Sequence, residues 1–313
     1  MSAIPRPEVS GKNPLPTAAV EEMMQTLSNW NRWGRIDELG APNLITDAKR
    51  VRSASLVRKG MCLSLARNTS KDTTDNSAPF EHKMIRTGAE ENAQGATDWY
   101  GVEYHGYTVT HLDALCHIFH QGLMYNGFSA AEVTEHGAGR LAVTQLKNGI
   151  FTRGILMDIP SLRGKAYLSG GEPIYREDLE AWERRCSIQV EAGDAILLRT
   201  GRWARRKEQG SWPIEEDSAG LHASALPWLR ERDVAVLASD LASDVMPSGI
   251  AQIKMPIHLV AIVAMGIPII DNCDLEQISA ALAEQGRWDF LFVVAPLSVD
   301  GGTGSPVNPL AVF

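Results

Sequence analysis

The sequence predicts an α/β fold, and two observations carry that expectation. From about residue 150 onward, short apolar runs alternate with amphipathic helical stretches, the rhythm of strands joined by helices. No composition shift or flexible linker divides the 313 residues. A single domain with long loops is therefore expected over 16–313, behind a proline-rich arm over 1–15 that lies extended.

Taken in order, Val20, Met23, Met24 and Leu27 recur at helical spacing and predict a first helix from about Thr17 to Asn31. A second begins near Thr46, a good capping residue, runs through Val51, Ala54 and Val57, and stops at Gly60, after which MCLSLA reads as a strand. Residues 69–98 hold many Asp, Asn, Thr, Ser and Gly without sustained period and read as one long loop. Beyond it, GILMDIP is a strand, REDLEAWERRC a helix, DAILLRT a strand, HASALPWLRERD a helix and VAVLASD a strand. The apolar helix MPIHLVAIVAMG, the strand IPIIDNC, a helix begun by Asp274 and the strand WDFLFVVAPL complete the series.

Composition narrows the function. Hydrophobic residues make up 44% and charged ones 22%, enough for a substantial core and far from a disordered chain. A formal charge of -8 without long charged blocks makes neither nucleic acid nor an anionic membrane surface an expected partner. The longest uncharged stretch, Met255 to Ile270, is 16 residues and holds His258, Gly266 and Pro268, short of the roughly 20 apolar residues of a spanning helix. Four scattered cysteines with no CxxC pair, and an amino terminus without an apolar leader, point to the cytoplasm. Neither GxGxxG after a strand nor a GxxxxGK loop occurs, so no dinucleotide or ATP cofactor is expected. No GxSxG elbow is present either, which disfavours a serine nucleophile.

Five of the eight histidines fall between positions 105 and 136, and THLDALCH sets His111, Asp113 and His117 in the pattern HxDxxxH. Random placement would yield that pattern about 0.01 times in a chain of this composition. Imidazole and carboxylate are ligands of zinc or manganese. Alternation in a strand puts His111 and Asp113 on one face, and a helical turn after Asp113 would bring His117 back to them. The competing reading is a hydrogen-bonded buried polar group tying strand to helix. His105 is a further candidate ligand, His120 a surface or supporting group, and Cys116 more a small apolar packing residue than a ligand. His258, in an apolar helix, and Asp271, ending an apolar strand, are each costly to bury alone, and sharing a metal ion with the first cluster would compensate both. Helix capping by Asp271 and a backbone bond for His258 explain them equally well. Trp99, Tyr100, Tyr104, Tyr107 and Phe119 flank the cluster as candidate walls for a ring-bearing small-molecule substrate, with core packing as the alternative.

At these residues the chain resembles the metal-dependent cyclase and kynurenine-formamidase-like hydrolase family, which includes bacterial arylformamidases, isatin hydrolases and a lactone-cleaving branch. The family motif is a histidine, three residues, then HxDxxxH. His111, Asp113 and His117 fill its last three positions, and Tyr107 stands at the first. Also similar are AGLHASALPWL, LLRTG at 197–201, the helix of His258, GIPIIDN with Asp271 where the family usually has glutamate, and GSPVNPLAV. The resemblance implies a swivelling β/β/α cyclase-like fold of the longer subgroup, a homo-oligomer (dimer or tetramer), and one or two divalent ions, Zn2+ or Mn2+.

The expected chemistry is metal-assisted hydrolysis of an amide, lactone or ester in a small, cyclic or aromatic substrate. Metal ligands are sought among His105, His111, Asp113, His117, His258 and Asp271, with His117 and His258 as alternative acid–base groups. A metal-dependent cyclisation or dehydration without net hydrolysis, and a non-catalytic metal-binding protein, are the competing functions.

Overall fold

The computed structural model describes residues 15–69, 80–89 and 91–313. The arm expected over 1–15 lies outside them except for Leu15, which packs on the core. Nine strands form one sheet: β1 (Cys62–Ser64), β2 (His111–Asp113), β3 (Ile150–Asp158), β4 (Ala195–Arg199), β5 (Val236–Ser239), β6 (Ile269–Asp271), β7 (Asp289–Val294), β8 (Gly304–Pro306) and β9 (Leu310–Val312). Their order across the sheet is β1-β9-β7-β3-β4-β5-β6-β2-β8. The central run β3-β4-β5-β6 is parallel, and the flanking pairs are antiparallel. The parallel strands are buried nearly throughout, which is why their sequences read as continuous apolar runs rather than as alternation.

The α/β expectation is met, with four local corrections. The first helix is Thr17–Thr26 and stops short of Asn31, because Asn29 turns to bond Ala264 and Met265 through its backbone N–H and its amide. Thr46 caps the second helix, Asp47–Ala54, by accepting from the Lys49 N–H, but the face it buries is Lys49 and Ser53, and Val51 is 73% exposed. The reason is electrostatic: the Lys49 ammonium reaches the buried Asp194 carboxylate at 2.5 Å, beside Arg153 at 2.6 Å, and a buried carboxylate needs such partners. Within the expected 69–98 loop, Glu81–Arg86 pairs with Thr97–Gly101 as an antiparallel ribbon, solvated on both faces and therefore without an apolar period. After Asp113 the chain enters a turn, His117 N–H to Ala114 C=O, and not a helix.

The apolar helix begins with Pro256 at its first turn and continues from Leu259 to Met265 in π geometry, ending at left-handed Gly266. Residues 260–265 are all buried, so the helix is apolar on every side. Among the described residues no helix is long and apolar enough to cross a membrane.

Candidate metal centre

The site is built where β6, β2 and β8 meet. In that register His111 lies opposite Asp271 on one side and Pro306 on the other, and Asp113 opposite Ile269 and Gly304. Residues two apart on a strand share a face, and so do directly paired residues on neighbouring strands. His111, Asp113 and Asp271 therefore project together. Gly304 keeps the third strand close: a Cβ there would fall 2.4 Å from the Leu112 carbonyl and 3.0 Å from His105 Cε1.

Asp113 is the hub. Its Oδ1 lies 2.8 Å from His105 Nδ1, 3.5 Å from His111 Nε2 and 4.0 Å from His117 Nε2, and its Oδ2 lies 3.7 Å from His258 Nε2. His258 Nε2 is in turn 3.2 Å from Asp271 Oδ2. The sequence-predicted residues thus converge, although His258 and Asp271 come from the far end of the chain. His120 does not join them; it pairs with Glu21 at 3.0 Å. Cys116 is buried and apolar in behaviour, its thiol pushed up to about 12 by burial. Trp99 and Tyr100 sit exposed on the ribbon, under Lys83 and against Phe80 respectively, and Phe119 is exposed too. Only Tyr104 and Tyr107 of the aromatic candidates stay at the cluster. The Tyr104 ring lies 4.5 Å from that of His105. Tyr107 packs against a small apolar group of Ile214, Leu241, Ala242 and Met246, and its phenol is pushed up to about 12, by burial first and then by Glu215, Asp271 and Asp244.

Three imidazoles are aimed by partners on their other nitrogen. His111 Nδ1 donates to the Val109 carbonyl at 2.9 Å, His105 Nε2 meets Thr303 Oγ1 at 3.0 Å, and His258 Nδ1 meets Asp244 Oδ2 at 2.6 Å. Each leaves the inward nitrogen for the cluster, the arrangement that orients metal-binding histidines. The sequence reading missed Thr303 and Asp244.

Burial opposes the charge on Asp113, yet the imidazoles of His111, His105, His117 and His258 hold its carboxyl well below the usual carboxylate range. Burial pushes His117 down to about 4; Asp113 opposes it, and the imidazoles of His105, His258 and His111 push the same way as burial. For His258 burial also opposes the cation, but Asp271 and Asp244 outweigh it and raise its pKa well above the ordinary value.

The donor set fits a divalent ion. Ligand atoms of His105, His111 and Asp113 lie within 4.8 Å of one another, as do those of Asp113, His258 and Asp271. Asp271 Oδ1 is buried without a hydrogen-bond partner, a costly condition that a cation relieves, and buried Asp113 Oδ1 meets only imidazole nitrogens. His117 stands beside both sets and belongs to neither.

Comparison with known proteins agrees with this architecture. A solved structure described as a novel cyclase superposes with a TM-score of 0.83 at 28% identity, covering 92% of this chain and all of the other. Isatin hydrolase A from Ralstonia solanacearum aligns at 0.57 and 18% identity, covering 81% of this chain and 92% of that one. The same enzyme from Labrenzia aggregata, bound to benzyl benzoate, gives 0.57 and 17%, over 85% and 98%. At such identities the isatin hydrolases show the shared fold. No curated protein sequence matches the chain. The Cyclase family model, described as "Putative cyclase", matches residues 74–244, more than half of the sequence, and the chain belongs to that family.

Proposed function

We propose that the protein is a metal-dependent hydrolase that cleaves an amide, lactone or ester of a small, cyclic or aromatic substrate. The observation that carries this reading is the convergence of two buried carboxylates, Asp113 and Asp271, the latter with an unpartnered Oδ1, on the inward-facing nitrogens of His105, His111 and His258. A divalent ion would give these buried carboxylates and imidazoles a shared partner. His105, His111 and Asp113 would hold one divalent ion, with Asp113, His258 and Asp271 as a second ligand set; His105 takes the place left by Tyr107. Zinc or manganese suits nitrogen and carboxylate donors. Such an ion supplies Lewis acidity and brings the ionisation of water from 15.7 toward about 7.

The chain's own residues do the rest. His117 lies outside both ligand sets yet within 4.0 Å of Asp113, and its side chain is 26% exposed, so it can reach a substrate, take a proton at Nε2 and return it to the leaving group. His258 is the alternative proton donor, anchored between Asp271 and Asp244. Half-buried Tyr104 and Tyr107 offer rings against which a substrate's ring could stack, and the fold shared with isatin hydrolases supports a substrate of that kind. The protein is further taken as cytoplasmic and as a homo-oligomer, dimer or tetramer, whose size light scattering on the purified chain checks.

A metal-dependent cyclisation or dehydration is the second reading, favoured by the family description and the cyclase neighbour. Metal-replete protein is assayed in 18O-water against a panel of cyclic amides, lactones and aryl esters together with the corresponding open-chain amino and hydroxy acids. One 18O atom in the product supports hydrolysis. Turnover without label supports cyclisation, and no turnover on any member removes both.

A further inference from the structure

Asp244 comes from a loop 14 residues before His258 and is fully buried. Its carboxylate accepts from three donors at the start of the apolar helix: Ile257 N–H at 2.7 Å, His258 N–H at 3.3 Å and His258 Nδ1 at 2.6 Å. One group thus satisfies two of the orphan amides that every helix N-terminus leaves and clamps the imidazole of the same turn. Backbone and ring of His258 are fixed together, with Nε2 left facing Asp271 and Asp113.

The loop that carries Asp244 is itself over-determined. Leu221 N–H bonds Ser243 C=O at 2.7 Å, Val245 N–H bonds Leu221 C=O at 3.1 Å, and Ser218 and Met246 exchange two bonds of 2.9 Å. Ser243 is held at φ 54, a conformation that non-glycine residues keep only when their surroundings impose it. This close approach needs Gly220: a Cβ there would lie 2.3 Å from the Asp244 carbonyl carbon and oxygen and 2.6 Å from Val245 N. Those atoms are backbone and cannot swing aside.

We propose that Asp244 is a positioning residue that acts through His258, fixing its proton on Nδ1 and aiming Nε2 into the metal centre, and that Gly220 is the residue whose missing side chain sets Asp244 in place. The proposal rests on the reading of His258 as part of that centre but not on the reaction catalysed there.

Two readouts on the full-length chain test it. In proton NMR of the metal-free protein, wild type shows a downfield, solvent-protected Nδ1 proton that disappears in both His258→Ala and Asp244→Asn. In competitive chelator titrations with zinc alone, Asp244→Asn weakens binding roughly 10- to 100-fold, and Gly220→Ala weakens it in the same direction with its circular dichroism retained. Added to His258→Ala, Asp244→Asn produces no further loss, because the two residues act as one unit. Absence of the protected proton in wild type, its survival in Asp244→Asn, or additive losses in the double variant overturn the proposal. Should Asp244→Asn not fold, the wild-type proton and the Gly220→Ala titration decide. Zinc that fails to bind wild type at all removes the metal reading, while the proton signal still judges Asp244.

Discussion

The imidazoles of His105 and His117 lie face to face, 3.8 Å between ring centroids and 2° from parallel. Burial pushes the His117 ring of this stack down to about 4, so it is neutral at pH 7. His105 is tied to Thr303 on one nitrogen and faces Asp113 with the other, whereas His117 belongs to neither group of three candidate ligands. On the proposed function, His105 belongs to the ligand set and His117 transfers protons. His117→Asn is expected to lower kcat by roughly 100- to 10,000-fold with bound metal unchanged, and His105→Ala to lower the metal content itself. Elemental analysis alongside kinetics checks both, and loss of metal in His117→Asn would move that residue into the ligand set.

Asp113 serves both groups of three, so its removal tells on both at once. An ion that binds only the folded chain stabilises it by about 2.7 kcal/mol at 100 times its Kd. Added zinc or manganese should raise the melting temperature of chelator-treated wild type by several degrees, and leave Asp113→Asn where it was. Differential scanning calorimetry with and without the ion measures this. An equal rise in the variant would place the ion elsewhere.

What the sequence made legible here was local. His111, Asp113 and His117 fall within seven residues, so strand alternation alone puts two of them on one face. His258 and Asp271 announced themselves through their apolar neighbours, since a lone polar group in such a run needs a partner. Thr303 and Asp244 gave no such sign: a threonine among glycines and an aspartate in a loop are common, and only the register of β8 and the loop bonded to Leu221 bring them to imidazoles. Lys49 and Asp194 failed for the same reason. A lysine on a helix normally marks the wet face, and the buried partner that reverses this lies 145 residues away.

That reversed face has a measurable cost. Asp194 is fully buried, 2.5 Å from Lys49 and 2.6 Å from Arg153, and also accepts the Glu191 N–H at 2.8 Å. Removing one partner of a buried ion pair leaves the other uncompensated, at about 3–5 kcal/mol. Asp194→Ala strands two cations and is expected to lose that much in urea unfolding. Lys49→Met leaves Arg153 in place and should lose clearly less. Equal losses would mean that the Lys49 contact alone carries the interaction.

Acid exposes the opposite signs of two histidines in the metal-free protein. His258 has a folded pKa well above its ordinary 6.5, so its contribution is fully present below 6.5 and is lost only as pH rises through that higher value. His117 is the reverse: its folded pKa falls from 6.5 to about 4, so the fold favours the neutral ring. Below pH 6.5 the unfolded chain takes up a proton that folded His117 refuses, and stability drops until pH approaches 4, where the folded ring protonates as well. Asp113 adds to the decline only lower, because its depressed pKa holds its contribution until the unfolded carboxyl titrates near 4. Between pH 6.5 and 4.5 the melting temperature of chelator-treated wild type should therefore fall more steeply than that of His117→Gln, which has no proton to refuse. Parallel slopes for the two proteins across that window would show that the His117 ring is as easily charged inside the fold as outside it.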